Sequence, residues 1–149
     1  MNLTVQSINN LLVRDLDRLS SEIDMFRNEA DLWILQGDVK NSPGNLCLHL
    51  CGNLQHFIGA IMGSSGYERK REDEFNLKNV PKNKLLQEIE QTKSAVKAAL
   101  IAFDTNELEK NYPIEVFNEP ISYITFLIHL TGHLNYHLGQ INYHRRLLQ

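Results

Sequence analysis

Basic charge is scarce in this 149-residue sequence: 15 Lys and Arg stand against 18 Asp and Glu, giving a net charge of -3 and a pI near 6.0. Nucleic-acid binding needs a clustered basic surface to meet the phosphates, so composition argues against that class from the start. Cysteine is scarce too. Its two copies, Cys47 and Cys51, stand four apart in one predicted helix, too few for a disulfide framework and without the second pair of a zinc finger. They read as reduced thiols in a core. No run approaches the roughly 18 apolar residues of a membrane span, and Met1 to Asn10 has neither the basic nor the apolar part of a secretion signal. The expectation is one cytoplasmic domain, residues 1–149, with no membrane and no nucleic-acid partner. No phosphate loop, nucleotide fingerprint, Ser-His-Asp order, internal repeat or low-complexity segment is visible.

What the chain does have is helical apolar spacing. Leu12, Leu16, Leu19, Ile23 and Phe26 predict a first helix from Leu3 to about Met25. Asp31–Asn41 reads as a connection in which Trp33 lies as a lid on the core. Ser42-Pro43 is a helix start, with Ser as cap and Pro at the first position, where its missing N–H costs nothing. Leu46, Leu50, Leu54, Phe57 and Ile61 carry that second helix to about Met62, ahead of Gly63-Ser-Ser-Gly66. The mixed-sign run Tyr67–Phe75 reads first as a solvated connection and second as a loop over a pocket mouth. Pro81 restarts the chain into a third helix, about Lys82 to Phe103, which supplies packing and no ligand. A long crossover, Asp104–Glu119, leads to a fourth helix, from near Pro120 to about Leu148. Four amphipathic helices with two longish connections predict an all-α four-helix bundle.

Histidine is concentrated in that last helix, which holds four of the chain's six. His133 and His137 are four residues apart, so their imidazoles leave one face about 40° apart and can share a metal ion. On the second helix His49 can face the interior, and if that helix lies against the fourth it completes a three-histidine set. Zinc on three neutral imidazoles keeps a fourth position for water or substrate, as catalytic rather than structural sites do. His129, four residues before His133, is the competing ligand. Asn53 and Gln140 lie one or two turns from the proposed ligands, where hydrogen bonds orient imidazoles or bound water. His56 and His144 are candidates for the pocket rim. Cys47 and Cys51 stand about 200° from His49 around the helix and share no face with it. No Glu or Asp is visible on the His133 face.

Ser42 to Gly59, with His49 in a His-Leu context, then Arg69-Lys-Arg-Glu-Asp-Glu-Phe75, then His133-Leu-Asn-Tyr-His-Leu-Gly-Gln-Ile141, resembles the DinB-like superfamily over nearly the whole chain. The ending His133, His137, Gly139, Gln140 is its most specific element. The resemblance implies an up-down-down-up bundle, frequently a homodimer, with a divalent metal on His49, His133 and His137. Zinc is expected first, with nickel or iron also suited to imidazole. It also implies a small-molecule substrate. Relatives include transferases using low-molecular-weight thiols such as bacillithiol and mycothiol, a maleylpyruvate isomerase and proteins described as metal-dependent hydrolases. Thiol S-transfer is the leading expectation, because a coordinated thiol ionises without a separate strong base. Hydrolysis at the same site and a non-catalytic metal-binding module are the alternatives.

Overall fold

The computed structural model describes residues 2–149. Among them are five α-helices and no strand: α1 Leu3–Asp24, α2 Pro43–Leu54, α3 Arg71–Asn76, α4 Lys82–Ala102 and α5 Tyr123–Leu148. None of these helices is long and apolar enough to cross a membrane. The helix starts follow local chemistry. Asn2 accepts from the Val5 N–H at 2.9 Å, Ser42 from Asn45 at 3.2 Å and Ser122 from Thr125 at 3.2 Å, each meeting a donor the first turn leaves unpaired. The Ser122 cap is why α5 opens at Tyr123 rather than at Pro120.

The second helix does not end as an α-helix. From Gln55 to Ala60 it widens into a π-helical turn, with the Ile61 N–H donating to the His56 carbonyl at 3.0 Å. The Phe57 carbonyl there accepts from the Tyr112 hydroxyl at 2.7 Å, which pins the crossover between α4 and α5 onto α2. An isolated bridge between Asn111 and Ser122 closes that crossover.

Helices α1 and α2 each pack on both α4 and α5. The apolar stripes read from sequence are the core: Leu12, Leu16, Leu19 and Ile23 are buried with Leu50, Leu54, Leu134 and Ile141. Trp33, in a 3-10 turn over Glu29–Trp33, lies on the first turn of α2, where a Cβ added at Gly44 would come within 2.7 Å of its ring. The register of α5 on α1 is set by polar pairs seven residues apart. The Asn135 side chain donates to Asp15 at 3.0 Å and that of Asn142 to Glu22 at 2.7 Å, while Arg145 also holds Glu22 at 2.8 Å. Buried carboxylates must be paired, and a slip of α5 by one residue would strip Glu22 of both its partners and leave Asp15 only its neighbours Arg14 and Arg18. This register points His133 and His137 toward α2.

The run Tyr67–Phe75 is exposed at Glu68 and from Lys70 to Asp73, as its charges suggest, but it is not a plain connection. Its second half forms most of α3, which packs on α2, and Glu74 is only 5% exposed. Glu72, Asp73 and Glu74 occupy the first turn of α3, where negative charge meets the helix dipole favourably. Burial of Glu74 is tolerated because Arg69 pairs with it at 2.8 Å.

A candidate metal centre between two helices

His49 leaves α2, His133 and His137 leave α5, and one ring nitrogen of each lies within 4.8 Å of the others. The His49 and His133 Nε2 atoms are 3.2 Å apart, and the His133 and His137 ring centroids 4.7 Å. Two nitrogens on one tetrahedral zinc would be roughly 3.3 Å apart at the usual Zn–N length.

The outer sides of two rings decide what faces inward. Glu74 Oε1 lies 3.0 Å from His49 Nδ1, and an ionised carboxylate only accepts, so Nδ1 carries the hydrogen and Nε2 points to the centre. Gln140 Oε1, 2.6 Å from His137 Nδ1, has the same effect on the second ring. His49 Nε2 thus turns a lone pair toward His133 Nε2 at 3.2 Å, a contact satisfied by a hydrogen on the His133 nitrogen or by a cation between the rings. The donor set therefore fits a divalent ion, and these three histidines could hold one. His133 differs in one respect: its Nδ1 is buried with no hydrogen-bond partner.

Glu74 is held in turn. Arg69 donates to Oε2 through Nε at 2.8 Å and to Oε1 through Nη2 at 2.9 Å. Burial works to raise the Glu74 pKa, but the hydrogen bonds from His49 and Arg69 outweigh it and hold the carboxyl below its ordinary value. Asn45, one turn before His49, fixes α3 itself. Its amide donates to the Glu74 carbonyl at 2.9 Å and to the Leu77 carbonyl at 2.8 Å. Gly52 leaves room for the carboxylate: a Cβ there would lie 1.9 Å from Glu74 Oε2. Glu74, Arg69, Asn45 and Gly52 fall within the stretches that carry the family resemblance, but the sequence alone gives none of them a role at the site. The one available signal was a glycine inside a predicted helix, three residues after His49, which marks close approach of another group.

The other sequence candidates separate. Gln140 touches His137, as described. His129 stacks on His133 with ring centroids 6.2 Å apart but lies outside the three-nitrogen cluster. Asn53 is buried with its Oδ1 unpaired, and nothing joins it to a ligand ring. His56 packs edge-on against Phe57 at the π turn, where extrapolation from His49 along a regular helix no longer holds. His144 is buried and lines, with His137 and Gln140, a cleft of about 740 Å³ between α5 and residues 36–41. Cys47 and Cys51 are buried free thiols away from this cluster.

Burial, reinforced by His137, His49, His129 and Arg69, pulls the His133 pKa down to about 4. In the metal-free protein the folded ring stays neutral where an unfolded one, near 6.5, takes a proton. The unfolded chain therefore binds more protons between pH 6.5 and 4, and folding stability falls as pH falls through that window. Burial lowers His137, His144 and His56 as well, with the same sign. Urea unfolding in EDTA is expected to lose roughly 1–2 kcal/mol through His133 alone, less than the full shift because the ring is partly exposed. His133→Gln should remove that share of the slope, and an unchanged slope would contradict it.

Fold and site together define an all-helical protein with a three-histidine cluster able to hold a metal ion. A family model described as a protein of unknown function (DUF1572) matches residues 4–149, and the chain belongs to that family. No curated protein matches the chain.

Proposed function

We propose that His49, His133 and His137 hold a divalent cation, zinc in the first place, and that the chain is a transferase joining a small thiol to an electrophilic carbon. The observation that carries this reading is the inward convergence of the three rings, two of them oriented from outside by Glu74 and Gln140. We infer with it a four-helix bundle of the DinB-like kind, supported by the packing of α1 and α2 on both α4 and α5. When bound, such a cation supplies Lewis acidity that lets a thiol or a water ionise near neutral pH.

The choice of thiol over water rests on the protein's own groups. Hydrolysis gains from a general base, and the carboxylate at this cluster is Glu74, whose oxygens are occupied by His49 and Arg69. Thiol transfer needs less help, since a thiol is the more acidic group. The S–H proton passes to buffer, a C–S bond forms, and the electrophile's leaving group departs with its electron pair.

The test is conjugation of monochlorobimane, in which chloride leaves, by zinc-loaded protein with bacillithiol, mycothiol, glutathione or cysteine. Turnover with one thiol, lost in His137→Ala, is expected. Turnover of esters or amides without conjugation would turn the reading to a hydrolase, and inactivity in both assays to a binding module.

A further inference from the structure

We infer that a hole on the outer face of α5, bounded by His129, Gly132, His133 and Tyr136, holds a flat aromatic ring, so that the substrate of the centre is a small aromatic molecule. This rests on the metal reading above and names the substrate class for it.

The hole begins with helix geometry. Residues at i, i+3, i+4 and i+7 surround one depression on a helix surface, and on α5 these are His129, Gly132, His133 and Tyr136. Three corners carry rings and the fourth carries no side chain. A Cβ built on Gly132 meets nothing within 4 Å, so the depression is open and no packing inside the chain requires the glycine. Glycine within a helix is less favourable than alanine, and an open one beside a ligand ring leaves room for a group from outside.

His133 ties the hole to the centre, being both a member of the three-nitrogen cluster and a corner of the depression. His49 is buried, whereas His133 and His137 are partly exposed, so the cluster opens to the surface on the α5 side. Inward of it the neighbouring Leu50 and Leu134 are fully buried. A molecule held at an open metal position therefore extends outward over α5, with the hole beside it.

The occupant follows from the rim. The Tyr136 ring meets that of His137 at 5.3 Å and 70°, and His129 stacks on His133 at 22°. From the crossover, Phe117 meets His129 edge-on at 4.8 Å. Tyr136 is 66% exposed and Phe117 45%, so both keep free ring surface although each touches a ring of the site. Phe117 is carried on a turn whose next residue, Asn118, takes φ +60°, a left-handed conformation uncommon outside glycine. Phe75, by contrast, packs on His49 at 4.9 Å and under Arg71 at 5.2 Å. From Pro120 to His144 there is no Asp, Glu, Lys or Arg, so this face of α5 offers an occupant no charge. Free ring faces and edges without charge select a planar aromatic group, which pairs with them at centroid distances of about 4.5–7 Å.

Hydroxamates test this, because the head seeks the metal while the tail is varied, and calorimetry on zinc-supplemented protein gives the affinities. Benzohydroxamate should bind about tenfold more tightly than acetohydroxamate. Cyclohexanecarbohydroxamate, of like size but not flat, should gain no more than about threefold. Gly132→Leu fills the hole with a good helix former and should remove the phenyl gain, with zinc content and acetohydroxamate affinity within about twofold of wild type. Phe117→Ala and Tyr136→Ala should each weaken benzohydroxamate by roughly 2- to 10-fold, and Tyr136→Phe should not. Equal affinity for acetohydroxamate and benzohydroxamate in wild type would sink the hole as a binding site while the metal reading stands. A phenyl gain that persists in Gly132→Leu would put the ring elsewhere and overturn it too. An equal gain from the cyclohexyl compound would overturn the aromatic class. Zinc-loaded protein that binds no hydroxamate overturns the inference alone, and protein that binds no zinc overturns both readings together.

Discussion

Replacing His49, His133 or His137 by Ala should take bound zinc from about one equivalent per chain to near zero, while His129→Ala and His144→Ala keep it. The contrast tests geometry against mere abundance of histidine. His129 is a turn from His133 and stacks on it, yet it contributes no nitrogen to the cluster. Removing a ring from the cluster leaves two nitrogens and an enlarged space, and two imidazoles alone hold a divalent ion weakly against a chelator. Elemental analysis of untagged protein reads the result directly. The fold should survive these changes, because folding rests on the apolar stripes of α1, α2, α4 and α5, most of whose leucines are buried. Circular dichroism of each variant checks this. Wild-type protein well below one equivalent, not restored by added zinc or nickel, would end the metal proposal. Zinc lost from His129→Ala but kept in His49→Ala would show that the wrong third ligand had been chosen.

Why His133 and His137 could be read from sequence and Glu74 could not is a matter of range. Two residues four apart on one helix have a relation fixed by the helix itself, so the pair is visible locally. Placing His49 with them required α2 to lie against α5, which the apolar stripe of α2 suggests and the packing of the two helices meets. The spans of the four longer helices were legible for the same reason, since a cap such as Ser42 and stripes of period 3.6 act within a few residues, whereas the Ser122 cap was passed over for Pro120. Glu74 belongs to a run of alternating charge, and nothing within that run separates a buried carboxylate from a solvated one. Its burial depends on Arg69 beside it, on Asn45 29 residues earlier, and on empty space over Gly52. The π turn at Gln55–Ala60 was invisible too, because the apolar period continues through it to Phe57 and Ile61. His56 was placed by extending a helical period that the turn interrupts.

Glu74→Ala should weaken zinc binding by roughly 10- to 100-fold although no ligand is lost. Without the carboxylate, His49 Nδ1 has no acceptor, its ring can turn or change tautomer, and Nε2 is no longer committed to the centre. The same change leaves Arg69, whose side chain is only 11% exposed, as an unpaired charge, and removing one partner of such a pair costs roughly 3–5 kcal/mol. That is a large part of the stability of an ordinary domain, so the alanine variant could lose metal simply by unfolding. Two further variants separate the effects. Glu74→Gln keeps an oxygen that accepts from His49 but turns an amide donor toward Arg69, so metal affinity should fall less than in Glu74→Ala. Gly52→Ala leaves Glu74 in the chain and drives its carboxylate away, since the new Cβ would lie 1.9 Å from Oε2. It should therefore lose affinity as Glu74→Ala does, with Arg69 and Glu74 free to pair elsewhere and less stability lost. Chelator competition gives the affinities, and the downfield Nδ1–H resonance of His49 reports the hydrogen bond itself. Folded Glu74→Ala or Gly52→Ala protein that binds zinc within about twofold of wild type would show that Glu74 merely fills space beside His49 and does not hold it.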